Sequence, residues 1–317
     1  MTLPIVFSTL VLGLSPHIPT SVAGSSDLYR KSVVKAIGRA QADLERSLEL
    51  WTDHSTWEHA WRVSTEDYEV RTTVSRYFGL DLAQGLETMR GHFDALLAPT
   101  RRVDGPLAVF IFPSLAEYNQ FGNDFGAEHS SAYGSFYAQG SPERAVGVLF
   151  DENPTLLRMW VTHSALHQYL DRAFTRQPPT WVSEGLAAYF ALFWDYGYGI
   201  SEIDRIRGNR TAAGAPAPSG REQFVPLRTL LPGGMNQYVE SASDRFIELG
   251  MLFTYLLSYR ADTRTVMDGD TVVQAPFAEY LRAILQGANH TQLPVHALLT
   301  ERTDELEADF RAFEFAR

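Results

Sequence analysis

Near residue 150 the spacing of apolar side chains changes its period, and that change bounds the fold. Upstream, runs rich in β-branched and aromatic residues read as strands: "WRVSTEDYEVRTTVS" at 61–75, "GPLAVFIFPS" at 105–114 and "SFYAQGSPERAVGVLF" at 135–150, the last a hairpin turning at Gly-Ser-Pro. Between the first two, Leu82, Leu86, Met89, Phe93 and Leu96 recur at three and four and predict an amphipathic helix over 80–97. "SLAEYNQFG" predicts a shorter helix, and residues 26–50 carry a further helical stripe. From about Thr155 the period is helical throughout. Leu156, Trp160, His163, His167, Leu170 and Phe174 fall on one stripe, which "QPPT" interrupts. A second helix is expected over 180–194, with Thr180 able to cap it, and others near 244–259, 277–286 and 303–315. Residues 207–222, rich in Gly, Ala and Pro, read as a loop, and no internal repeat is visible. The order predicts an α+β chain: an N-terminal α+β lobe with a small sheet over 24–150, then a mainly helical lobe over 151–317.

Composition removes several functions. The chain has 317 residues, 45% of them hydrophobic, enough for a sizeable core. Its formal net charge is −11, from 38 acidic and 27 basic residues without a basic stripe, which argues against nucleic acid and anionic membrane surfaces as partners. There is no cysteine, so disulfides, a thiol nucleophile and thiolate metal ligands are excluded. Any metal falls to His, Asp and Glu. The apolar run at 5–14, Pro16 and Pro19, and small Ser21 and Ala23 resemble a signal peptide over 1–23, which predicts an exported protein, periplasmic or extracellular. No other run approaches the length of a membrane helix.

The candidate chemistry lies in "VTHSALHQYL" and "WVSEGLAAYF". On a helix, i and i+4 project from one face, so His163 and His167 can aim ring nitrogens at one point. A helix, a Pro-Pro turn and an antiparallel helix would return Glu184 over the pair. Two His and one carboxylate with a fourth position open form the ligand set of a catalytic zinc site. The alternatives are two hydrogen-bonded core histidines and a Glu placed by the helix dipole. Asp171, one turn beyond His167, is a candidate to orient a ligand. Tyr189, Tyr196, Tyr198, Tyr238 and His290 are candidate oxyanion stabilisers. Trp181, Gly185, Ala187 and Ala188 read as packing residues that let the two helices approach closely.

"VTHSALHQYL…RQPPTWVSEGLAAYF" resembles the gluzincin pattern of zinc metallopeptidases, the peptidase MA group, in which His-Glu-x-x-His precedes a helix bearing Trp-x-x-Glu-Gly-x-Ala-x-Tyr. The likeness extends, over roughly residues 60–315, to a bacterial family of unknown function with a peptidase-MA-like domain. It runs through "YEVRTTVS", "LAVFIFPSLAEYNQFG", "YGSFYAQG", "LRTLL", "RFIELGMLFTYLL" and "LTERTDELEADFRAF". The resemblance implies a zincin-like fold, Zn2+ held by His163, His167 and Glu184, and a peptide or protein as substrate or ligand. It places Ser164 where active enzymes have the general-base Glu. A Ser hydroxyl cannot take that proton, and a lost general base lowers a rate by ~10²–10⁴. Three functions follow: a metal-binding pseudo-peptidase, an active hydrolase using metal hydroxide or another carboxylate, or a structural or peptide-binding module without metal. Position 164 is expected to face the metal's open side in a wet cleft, so that Ser164→Glu would restore the base at little loss of stability.

Overall fold

Four consecutive polar residues, Ser64, Thr65, Glu66 and Asp67, offer the backbone local partners that compete with a ladder. In the computed structural model, which describes residues 39, 53–125, 134–192, 226–231, 242–268 and 271–315, the chain turns there. Strands β1 (Trp61–Ser64) and β2 (Tyr68–Thr72) pair antiparallel across the turn. The Thr65 N–H donates to the Tyr68 carbonyl (2.9 Å), and the Tyr68 N–H donates to Thr65 Oγ1 (3.2 Å). The one strand expected over 61–75 is therefore a hairpin.

Helix α1 (Arg76–Leu97) starts where Ser75 Oγ accepts from the Phe78 N–H. It leads to β3 (Leu107–Phe112), which lies parallel to β2. Ser114 caps α2 (Leu115–Asp124) in the same way. Strands β4 (Ser135–Tyr137) and β5 (Val146–Leu149) form the expected hairpin, with β5 parallel to β3. The sheet is mixed, in the order β1-β2-β3-β5-β4, and leaves β4 at an edge.

Alternation gives the sheet two faces. Phe110, Phe112 and Phe136 meet Phe121 of α2 on one of them, with Tyr118 beside Phe112 and Phe136. Val70, Val109, Ile111, Val146 and Val148, of opposite parity to those phenylalanines in β3, belong to the main core with Leu86 and Phe93 of α1.

The helical half follows: α3 (Pro154–Ala173), α4 (Thr180–Leu192), the single turn α5 (Leu227–Leu230), α6 (Ala242–Thr254, continued by a π turn at Tyr255–Tyr259), α7 (Pro276–Leu285), α8 (Pro294–Thr300) and α9 (Thr303–Phe315). A two-stranded ribbon, β6 (Val266–Asp268) and β7 (Thr271–Gln274), interrupts it. Neither α8 nor this ribbon is expected from the periodicity. From α7, Arg282 donates to the carbonyls of Leu96 (2.7 Å) and Ala95 (3.2 Å), and Gln286 donates to that of Ala98 (3.2 Å). These bonds satisfy carbonyls orphaned at the end of α1 and join the halves. Residues His54–Arg317 form one compact α+β unit. Among the described residues no helix is long and apolar enough to cross a membrane. The expected leader, the loop at 207–222, and the helix at 26–50 (of which Arg39 alone is described, as helical) lie outside the described residues.

Candidate metal centre

Helix α3 is buried on nearly every side. Within residues 161–170 only His163 and His167 reach solvent, their side chains 21% and 22% exposed. The expectation of one apolar stripe is corrected here. The line through Leu156, Trp160, His163 and His167 is only partly buried, and over residues 161–170 the remaining faces fill the core. The position of α3 on the sheet is fixed by Gln168, fully buried, whose Nε2 donates to the carbonyls of Ala108 (3.0 Å) and Arg144 (2.8 Å).

Pro178 and Pro179 end the link from α3, and α4 begins at Thr180. Thr180 does not cap this helix, because it already lies inside it. The Pro179 carbonyl accepts from the N–H groups of Val182 (2.9 Å) and Ser183 (3.2 Å). Glu184 is thus the fifth helical residue, past the first turn in which the dipole favours acids. Gly185 is also corrected. A Cβ there would stand 2.2 Å from the Phe253 ring, so this glycine admits α6, not the histidine-bearing α3. Trp181 packs on the same ring at 5.9 Å.

The turn returns Glu184 to the histidine pair. His163 Nε2 and His167 Nε2 are 3.1 Å apart. Glu184 Oε2 is 3.6 Å from the first and Oε1 is 3.4 Å from the second. Tetrahedral ligands at ~2.05 Å from zinc stand about 3.3 Å from one another. The three observed separations bracket that edge. Among the described residues this is the one group of three His or acidic side chains whose ligand atoms all lie within 4.8 Å of one another, and it can hold a metal ion.

Electrostatics puts His163 and Glu184 in the form that ligation needs. Burial, and then the neighbouring His167, push His163 down to about 4, so its imidazole is neutral at pH 7. Burial alone would raise Glu184. The charge and hydrogen bond of His167, with His163 behind them, override it and hold the carboxyl down at about 2.

The other candidates are placed as follows. Ser164 is 2% exposed, and its Oγ lies 2.7 Å from Ser135 Oγ of β4, which in turn donates to the Trp160 carbonyl at 2.5 Å. The expectation of a wet cleft at this position is overturned, since the hydroxyl is packed against the sheet edge. Asp171 makes its hydrogen bonds away from the histidine pair. It accepts from Tyr137 Oη (2.5 Å), Gln139 (2.9 Å) and Gln177 (3.1 Å), and it pairs with Arg144. Tyr189 is buried, and burial raises its hydroxyl far above the ordinary tyrosine range. His290 lies against Tyr280 and His296, at ring distances of 5.5 and 5.6 Å. Tyr196, Tyr198 and Tyr238 lie outside the described residues. Sequence reading missed Ser135, Tyr137 and Gln168. Of these only Gln168 left a signal, an amide directly after His167 and before the apolar Tyr169 and Leu170. The chain matches no protein-family model, no curated protein and no solved structure.

Proposed function

We propose that the chain is an exported, gluzincin-like metal-binding protein. In this reading His163, His167 and Glu184 hold one zinc ion and the neighbouring surface holds an extended peptide without cleaving it at ordinary peptidase rates. The observation that carries the reading is the set of separations of 3.1, 3.4 and 3.6 Å among the two Nε2 atoms and the two carboxylate oxygens of Glu184. When bound, zinc supplies a positive, Lewis-acidic centre. The chain's own groups bind and orient: two imidazoles, of which His163 is held neutral by burial, an ionised carboxylate, and partial exposure that leaves one side open to a ligand.

Impaired catalysis is supported by Ser164, which cannot accept a proton near neutral pH and whose hydroxyl is already engaged. A peptide ligand is supported by β4, an edge strand that begins beside the residue following His163. The resemblance of the two histidine and glutamate helices to gluzincins adds to both. The test incubates zinc-loaded protein with a mixed peptide library and follows products by mass spectrometry, while acetohydroxamate is titrated as a metal-directed ligand. Acetohydroxamate is expected to bind and the peptides to persist. Zinc-dependent turnover at ordinary enzyme rates, about 1–10³ s⁻¹, would instead establish an active hydrolase.

A further inference from the structure

We propose that Ser164, Tyr137 and Asp171 are positioning residues that strap edge strand β4 onto helix α3 alongside the metal ligands. The strap holds the open edge of the strand at a set distance from those ligands. This rests on the peptide-holding function proposed above.

Three contacts make the strap. At the start of β4, Gly134 has no side chain, and a Cβ there would lie 2.6 Å from the Trp160 indole, so the glycine lets the strand settle against that ring. Ser135 Oγ is next. Its single proton goes to the Trp160 carbonyl (2.5 Å), so the 2.7 Å bond between the two hydroxyls takes its proton from Ser164. Two residues on, and so on the same face of β4, the Tyr137 hydroxyl donates to Asp171 (2.5 Å). The two side-chain bridges flank His167, because Ser164 directly follows His163 and Asp171 lies one turn past His167. Asp171, its side chain 8% exposed, also gathers Gln139 and Arg144 from the β4–β5 turn and Gln177 from the α3–α4 link.

The strap leaves one edge of β4 unused. The Ala138 N–H to Ala145 carbonyl bond (2.8 Å) and the Leu149 N–H to Gly134 carbonyl bond (2.8 Å) flank the Phe136–Gly147 pair. Even-numbered residues therefore bond to β5, and the N–H and C=O groups of Ser135 and Tyr137 face outward. Among the described residues no strand pairs with that side. Ser135-Phe136-Tyr137 carries neither the charge nor the proline with which exposed edges are commonly blocked.

The test uses the full chain loaded with Co2+, whose visible spectrum reports ligands at the metal. Acetohydroxamate reads the metal alone; an uncharged dipeptide hydroxamate, acetyl-Leu-Leu-NHOH, reads the metal and the edge together. In the unmodified protein the dipeptide probe is expected to bind more tightly. Tyr137→Phe and Asp171→Ala should each remove about tenfold of that margin, the worth of roughly one hydrogen bond, with acetohydroxamate and Co2+ affinities unchanged. Asp171→Asn still accepts from the phenol and should keep the margin. No margin in the unmodified protein, an equal margin in Tyr137→Phe, or parallel weakening of both probes would overturn the proposal. Hydrogen exchange at the Phe136 and Ala138 amides, which face β5, reads the strap without metal. It should quicken in Tyr137→Phe and Ser164→Ala, and unchanged exchange in both also overturns it. Failure to bind Co2+ would count against the metal reading alone, with the exchange result still deciding the strap.

Discussion

The Nε2 atoms of His163 and His167, one helical turn apart on α3, stand 3.1 Å from each other. Two imidazole nitrogens reach that distance either around a shared N–H···N bond or around an ion. The carboxylate oxygens of Glu184, 3.6 and 3.4 Å from the same two nitrogens, give the cluster a negative charge that a cation would balance.

Acid should destabilise the metal-free fold in two windows. His163 lies at about 4, below its ordinary 6.5, so between those values the unfolded chain takes up a proton that the folded chain refuses. Stability therefore falls as pH drops from 6.5 towards 4 and is unaffected by this group above 6.5. Glu184, at about 2 instead of 4.5, stabilises above 4.5, and its contribution is lost as pH falls towards 2. Thermal melts of chelator-treated protein between pH 7 and 4.5 should show wild type losing more stability than His163→Gln. Parallel profiles would contradict this assignment.

Ser164→Glu should destabilise the protein. A carboxylate at a position 2% exposed, between Ser135 and the Trp160 carbonyl, is a buried charge without a partner, a lesion of about 3–5 kcal/mol. Ser164→Ala loses one hydrogen bond, about 0.5–1.5 kcal/mol, since Ser135 keeps its bond to Trp160. Urea unfolding measures both. A Ser164→Glu protein as stable as wild type would mean that position 164 reaches solvent after all.

Gly185→Ala should separate α4 from α6. The new methyl would meet Phe253 at 2.2 Å, an overpacking of about 1–3 kcal/mol. It should also weaken metal binding, because Glu184 is the adjacent residue. Phe253→Leu in the same chain should recover much of the loss, and a double variant no better than Gly185→Ala would point to a cause other than this contact.

The histidine pair and the return of Glu184 were legible because i, i+4 spacing and a Pro-Pro turn are local, and local geometry is written in neighbouring residues. The β4–β5 hairpin and the helices over 76–97 and 303–315 were legible for the same reason. What surrounds Ser164 was not. Its partner Ser135 lies 29 positions away on a strand of three residues, and nothing near Ser135 marks it as a contact of α3. Gly185 was read as serving the neighbouring helix, whereas its partner Phe253 is remote in sequence. Helix α8 is seven residues, too short to display a period. The β6–β7 ribbon did carry a local cue, the Gly-Asp pair between the short runs of "TVMDGDTVVQ", one of the two-residue hairpin signals.

The central claim is that His163, His167 and Glu184 form a metal centre, and metal content tests it most directly. The full chain would be stripped with chelator, loaded with zinc, freed of excess metal and assayed for metal per chain, alongside His167→Ala and Glu184→Gln. We expect about one tightly held zinc in wild type, none in His167→Ala, weakened retention in Glu184→Gln, and a melting temperature that falls on chelation in wild type alone. Wild type that retains no zinc and melts identically with and without chelator would contradict the account.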